Sequence, residues 1–249
     1  MKESFRSRLK RKDLLIGTLV TLASLETAEI IAEAGFDWLF IDMEHSILGP
    51  PQAQAILQCV GERVDCVLRV PLNDEIWIKK ALDTGAAGIL VPQVNSIEDA
   101  RRAVRYCKYP LQGSRSVGMA RAHGYGAKSQ AYLDQANANT AVIIQVEHIE
   151  AVKNIEAIIM VENVDAVLIG PYDLSASMGL MGLVDGELVQ SAIEHIRQVC
   201  QAHGMPVGIF TTQAERAKAY MQQGYTLIAC SGDTLMLAQA AAEIANNLN

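Results

Sequence analysis

The chain has 249 residues, half of them apolar, and a formal net charge of −7. That length suits one α/β barrel or two small domains, with ample material for a core. The acidic balance excludes nucleic acid as the main partner, because phosphate binding needs a basic face.

The five cysteines (59, 66, 107, 200 and 230) are scattered, odd in number and contain no C-x-x-C pair. They read as buried thiols of a reducing compartment and not as a disulfide framework or zinc site. The first dozen residues are mostly polar and basic, without the apolar stretch of a signal peptide. No apolar run approaches membrane-spanning length. A cytoplasmic protein with no membrane partner is the expectation.

Along the chain, apolar strand runs alternate with amphipathic helical runs, the pattern of βα units around a parallel sheet. The strands are expected at Ile16–Val20, Trp38–Met43, Cys66–Val70, Gly88–Val94, Ala141–Val146, Ala166–Gly170, Pro206–Phe210 and Thr226–Cys230. Gly35, Gly85, Gly204 and Gly224 each stop a 3.6-period stretch just before a strand, the place for a left-handed cap. Pro50-Pro51, Asn73-Asp74 and the Ser96/Asp99 pair mark helix starts. Eight such units predict a single α/β domain over 1–249, a (β/α)₈ TIM barrel closed by a last helix at Thr234–Leu248. An open doubly wound sheet is disfavoured, since no G-x-G-x-x-G follows the first strand. Residues 110–140 break the rhythm with a glycine-rich connection, read as a lid or binding loop leaving the carboxyl end of strand four.

Ionic residues fall at the closing positions of these strands: Asp42, Glu44 and His45, then Arg69, then Gln145 and Glu147, then Asp173. The carboxyl ends of barrel strands are where chemistry is built. Glu147 and Asp173, on consecutive strands and without a Cys or His cluster, favour a hard divalent ion such as Mg²⁺ or Mn²⁺. Two protein ligands leave positions for water and a bidentate substrate. His45 reads as a base oriented by Asp42 or Glu44. His195 and His203 read as structural, while His123 sits in the long connection. Arg69, inside a buried strand, needs an anion, and a substrate carboxylate or oxyanion is preferred over a structural salt bridge. Asp83, Lys79 and Lys80 read as solvated helix charges. No strand carries a lysine for a Schiff base, and there is no G-x-S-x-G. Metal-assisted proton transfer, enolate formation or carbon–carbon cleavage on an oxo acid remains.

At these residues the chain resembles the HpcH/HpaI aldolase family, metal-dependent class II pyruvate aldolases. The motifs are Ala34-Gly-Phe-Asp-Trp-Leu-Phe-Ile-Asp-Met-Glu-His45, Leu90-Val-Pro92, Tyr109-Pro-x-x-Gly-x-Arg115, Gln145-Val-Glu147 and Gly170-Pro-Tyr-Asp-Leu-Ser175. The resemblance implies cleavage of a 4-hydroxy-2-oxo acid to pyruvate and an aldehyde. It implies Glu147 and Asp173 as ligands of Mg²⁺, Mn²⁺ or Co²⁺, with Gln145, Gly170 and the backbone around Tyr172 and Asp173 seating the oxo acid. It also implies His45 as base, Asp83 as the group raising its basicity, and Arg69 as the enolate stabiliser. A pyruvate-type barrel with its last helix exchanged between subunits, in a homo-oligomeric trimer of dimers, comes with it. Met43, Tyr172 and Met119–Gly126 depart from the better-known members and are expected near the aldehyde half. Two other readings compete: a citrate-synthase-type transferase using oxaloacetate and acyl-CoA, and a non-catalytic oxo-acid-binding protein.

Overall fold

A computed structural model of the chain describes residues 3–248; Met1, Lys2 and Asn249 of the expected 1–249 domain lie outside the described residues. Eight parallel strands close on themselves in sequence order. They are β1 (Leu15–Val20), β2 (Trp38–Asp42), β3 (Asp65–Arg69), β4 (Gly88–Val91), β5 (Ala141–Val146), β6 (Ala166–Ile169), β7 (Val207–Thr211) and β8 (Leu227–Gly232). The expected strands are all present and differ only at their ends.

Helix α1 (Phe5–Lys10) precedes the barrel, and α2 (Leu25–Glu33), α3 (Pro50–Val60), α4 (Glu75–Asp83) and α5 (Ile97–Cys107) cover its first half. The second half carries α6 (Ser129–Asn139), α7 (Ile149–Lys153), α8 (Ile155–Ile159), α9 (Pro171–Ser177), α10 (Glu187–Ala202), α11 (Ala214–Gln222) and α12 (Asp233–Leu248). The starts read from sequence hold. Pro50 opens α3, while Asp74 and Ser96 accept backbone N–H bonds at the heads of α4 and α5. All four glycine stops have positive φ. Among the described residues no helix is long and apolar enough to cross a membrane.

Period-2 alternation splits the strand residues between two cores. Trp38, Phe40, Val67, Leu90, Ile143 and Leu168 fill the barrel interior, whereas Leu39, Ile41, Leu68, Ile89 and Ile144 pack under the helices. Trp38 is admitted at the bottom because Gly17 faces it. A Cβ on Gly17 would lie 2.5 Å from the indole. Helix α1, which the sequence reading did not anticipate, plugs the same end with Phe5 and Leu9. It is pinned there by Arg6, whose Nε donates to both oxygens of Asp165 at 2.8 Å.

The 110–140 connection needs correction. It follows α5, so it joins a helix to β5 at the amino-terminal side of the barrel and does not leave the carboxyl end of strand four. It is also structured, with a 3₁₀ segment at Arg121–Gly126 and then α6. Lys108 anchors it, its Nζ donating to the carbonyls of Asn137 (2.9 Å) and Thr140 (2.7 Å). Arg121 donates to the carbonyls of Thr84 and Leu57, and His123 is fully buried against the Tyr109 hydroxyl.

Burial pushes the Lys108 ammonium down from 10.5 to about 8. The folded chain therefore holds this proton less tightly than the unfolded one. The penalty is full below pH 8 and lifts as pH rises toward 10.5. Urea unfolding should show stability gaining up to about 3 kcal/mol from this group between pH 8 and 10. Lys108→Met should flatten that rise. Equal pH slopes for the two proteins would contradict the assignment.

Candidate active site

The interior alternation that places Trp38 and Phe40 inside the barrel places Asp42 inside as well, one layer higher. On β3 the same period carries Val67 to Arg69, and the register sets Asp42 beside Arg69. Arg69 Nε and Nη2 donate to the two Asp42 oxygens at 2.8 and 2.7 Å. The guanidinium lies over the Phe40 ring, 5.0 Å from its centroid. Asp42 also accepts the backbone N–H groups of Glu44 and His45 at 2.9 and 3.3 Å, which fixes the turn carrying both.

Burial opposes ionisation of Asp42, but the two bonds from Arg69 outweigh it and hold the carboxyl below its ordinary value. The same pairing outweighs burial at Arg69 and holds its proton firmly. The structural salt bridge that the sequence reading ranked second is therefore present. Arg69 keeps one arm for the cavity, since Nη1 points to Gln145 Oε1 at 3.4 Å. Asp42, read from sequence as a partner for His45, serves Arg69 instead.

His45 stands at the rim with its side chain two-thirds exposed, and its nearest acid is Glu44, 3.7 Å from Nε2. Glu44 Oε2 lies 3.2 Å from Arg69 Nε in an ionic contact without hydrogen-bond geometry. Burial pushes the Glu44 carboxyl up to about 7, with Asp42 and Asp173 adding repulsion against the pull of Arg69.

Glu147 follows β5 and is buried. Its Oε1 accepts the Gln93 N–H at 2.9 Å, and its Oε2 accepts from Gln145 Nε2. Gln93 reaches it from a left-handed backbone, φ +53°, a conformation that costs a non-glycine residue energy. Burial again lifts the carboxyl, here to about 7, and Glu44 and Asp173 reinforce the rise. Asp173 does not end a strand, as expected, but sits in the first turn of α9, two residues after Pro171. Gly170 makes room for Gln145 and Glu147. A Cβ there would come within 3.1 Å of Gln145 Nε2, Glu147 Cβ and Glu147 Oε2.

One cavity of about 550 Å³ brings together His45, Arg69, Gln145, Gly170, Tyr172 and Asp173. Its floor is Phe40 and Leu168, so a ligand here is sealed from water below. Glu44, Glu147 and Asp173 repel one another around it. Acid oxygens crowded at one mouth, beside a glycine that opens a cradle, suit a hard divalent cation. Among the described residues no group of three or more His, Cys, Asp or Glu is arranged to hold a metal. The side chains that could hold an ion at this mouth are the carboxylates of Glu147 and Asp173.

Other expected participants lie elsewhere. Asp83 ends α4 and accepts from Arg115 Nη2 at 2.8 Å, at the amino-terminal side of the barrel. Met43 is buried in the outer core, and Met119–Gly126 packs against the ends of α3 and α4. Of the three departures expected near the aldehyde half, Tyr172 alone lines the cavity. His195 lies on α10 and His203 caps it, consistent with structural roles, and His148 caps α7. Glu44, expected at the strand end as a partner for His45, is also a third acid at the mouth, whereas nothing in the sequence signals the Gln93 N–H.

The sequence profile of the HpcH/HpaI aldolase/citrate lyase family matches residues 15–240. The chain belongs to that family. The 4-hydroxy-2-oxo-heptane-1,7-dioate aldolase of Shigella boydii is 40% identical to this HpcH/HpaI chain, over 98% of it and 94% of the relative. The 5-keto-4-deoxy-D-glucarate aldolase of Enterobacter sp. (strain 638) is 35% identical, over 98% and 95%. A crystal structure of an HpcH/HpaI aldolase/citrate lyase family protein from Burkholderia cenocepacia superposes with a TM-score of 0.94 at 34% identity, covering 98% of both chains. The carbon–carbon lyase expected from sequence agrees with this membership and with the relatives' activities.

Asp42→Ala should lower unfolding free energy in urea by about 3–5 kcal/mol, because it strands the Arg69 charge in the barrel. A loss below about 1 kcal/mol would mean that the pair behaves as a solvated surface bridge.

Proposed function

We propose that this chain cleaves a 4-hydroxy-2-oxo acid to pyruvate and an aldehyde, with Glu147 and Asp173 holding Mg²⁺, Mn²⁺ or Co²⁺. The observation that carries the reading is the meeting of Asp173, Arg69 and the rim imidazole of His45 around one floored cavity, with Glu147 bonded to Gln145 in its wall. When bound, the ion supplies Lewis-acid polarisation of the 2-oxo group.

The chain's own residues do the rest. Gln145 and the backbone from Gly170 to Asp173 seat the pyruvate half. Arg69 Nη1 faces the C2 oxygen, where negative charge grows as the C3–C4 bond breaks, so its attraction strengthens toward the transition state. His45, open to solvent, takes the proton of the C4 hydroxyl. As the C3–C4 bond breaks its electron pair passes into the enolate, and the proton held by His45 returns to C3 to give pyruvate, above a floor of Phe40 and Leu168.

Asp83 is held by Arg115 within one chain, so a role in raising the basicity of His45 requires a neighbouring subunit to present it. The last helix favours such an assembly. Helix α12 leaves Leu237, Ile244 and Leu248 more than 60% exposed along an apolar stretch. An exchanged α12 in a homo-oligomeric trimer of dimers would cover it. The five cysteines, none in a disulfide among the described residues, fit the cytoplasm.

Pyruvate release from 4-hydroxy-2-oxo acids should require added divalent metal and stop with EDTA. Glu147→Ala and Asp173→Ala should lose metal-dependent turnover while melting as folded proteins. His45→Ala should lower kcat by about 10²–10⁴-fold, the range for a lost acid–base group. Release unaffected by EDTA would overturn the reading. Turnover confined to oxaloacetate with an acyl-CoA would make the chain a transferase.

A further inference from the structure

Beyond Tyr172 the mouth continues into a second, solvent-open cavity of about 660 Å³, bordered by the carboxyl end of β7 and by α9 and α11. Pro171, Tyr172 and Phe210 line both cavities, so the two share one wall. Tyr172 stands on the first turn of α9. Its hydroxyl lies 3.8 Å from where a Cβ on Gly182 would be, so the ring extends along that glycine and forms the partition. The far side is lined by Val184, the loop after β7, Arg216 and Tyr220.

The one ionic side chain lining this second cavity is already committed. Arg216 Nη1 and Nη2 donate to the two oxygens of Asp185, and Nε donates to Gln213 Oε1 at 3.0 Å. Three of its five N–H groups are thus engaged, and its charge is paired with Asp185 before any ligand arrives. The neighbouring mouth is acidic as well. Asp42 and Glu44 lie on Arg69, and Glu147 and Asp173 stand beside them, so the acids at this mouth outnumber its one arginine. A second substrate carboxylate entering here meets repulsion and no free cation. The rings of Tyr172, Phe210 and Tyr220 offer apolar contact instead.

We propose that this second cavity is the subsite for the aldehyde half, and that it selects 4-hydroxy-2-oxo acids whose C4 carries an uncharged apolar group the size of a phenyl ring. The proposal rests on the aldolase reading. It separates this chain from the dioate and glucarate aldolases it resembles, whose named substrates end in a second carboxylate. Tyr172 and Phe210 are specificity-determining residues in this scheme, and Arg216 is neutralised scenery.

The test measures kcat/KM for pyruvate release, with Mg²⁺ present, from three substrates. They are 4-hydroxy-2-oxo-4-phenylbutanoate, 4-hydroxy-2-oxopentanoate and 4-hydroxy-2-oxo-heptane-1,7-dioate. The phenyl substrate should exceed the dioate by about tenfold or more, the scale of discrimination a pocket of this kind achieves. Val184→Trp, which fills the second cavity at a half-buried position away from the pyruvate half, should cut the phenyl-to-methyl ratio by about tenfold. Asp185→Asn, which releases Arg216, should raise the dioate relative to the phenyl substrate. Preference for the dioate in the unaltered protein, or ratios unmoved by both variants, would overturn the subsite while leaving the aldolase reading in place. Absence of pyruvate from all three substrates with Mg²⁺, Mn²⁺ and Co²⁺ would overturn both.

Discussion

The ion pair between Asp42 and Arg69, clamped on the ring of Phe40, is the interaction on which the mouth of this barrel depends. It sits where the apolar interior gives way to the charged layer, and each partner is buried too deeply to stand alone. Each carries a second duty. Asp42 accepts the N–H groups that shape the turn bearing Glu44 and His45, and Arg69 turns its remaining nitrogen toward Gln145. A buried pair of this kind adds little net stability against an apolar substitute, but breaking it is costly, and that asymmetry preserves its geometry. The strand register supplies the placement, since β2 and β3 align Asp42 with Arg69 before any side chain chooses a partner.

Around this anchor the mouth carries more negative charge than it balances. Glu44 and Glu147 are both driven up to about 7 by burial, reinforced by neighbouring carboxylates. The fold accepts local costs to bring them together. Gln93 adopts a left-handed backbone to offer its N–H to Glu147, and position 170 has no side chain because one would strike Glu147. Such costs concentrate where function requires them. A divalent cation is the simplest species to relieve this crowding, and the oxo group of a substrate would complete its coordination.

Much of this was legible in the sequence, because the controlling pattern is local. Apolar runs of period two, ending in charged residues and separated by glycine-stopped helices, give the barrel and place Arg69, Gln145 and Glu147 at one end of it. What was not legible depends on distance through space. Nothing local tells that Asp42 faces Arg69 and not His45, since that follows from the register of two strands. The 110–140 segment looked like an active-site loop because glycines and arginines suit either end of a barrel. Its anchors, Lys108 and Arg121, bond to carbonyls at the opposite end. Asp83 belongs to the same class, as its Arg115 partner is 32 residues away in sequence. Helix α1 escaped notice because its basic residues hide the two apolar contacts, Phe5 and Leu9, that plug the barrel.

The central claim is that acids of this chain hold a metal which, with Arg69, holds a 2-oxo acid. Calorimetric titration of oxamate, an unreactive stand-in for pyruvate, tests it without relying on turnover. With Mg²⁺ or Mn²⁺ present the account predicts saturable binding at one site per chain, lost when EDTA is added and lost in Glu147→Ala. Equal oxamate affinity with metal and with EDTA would contradict it.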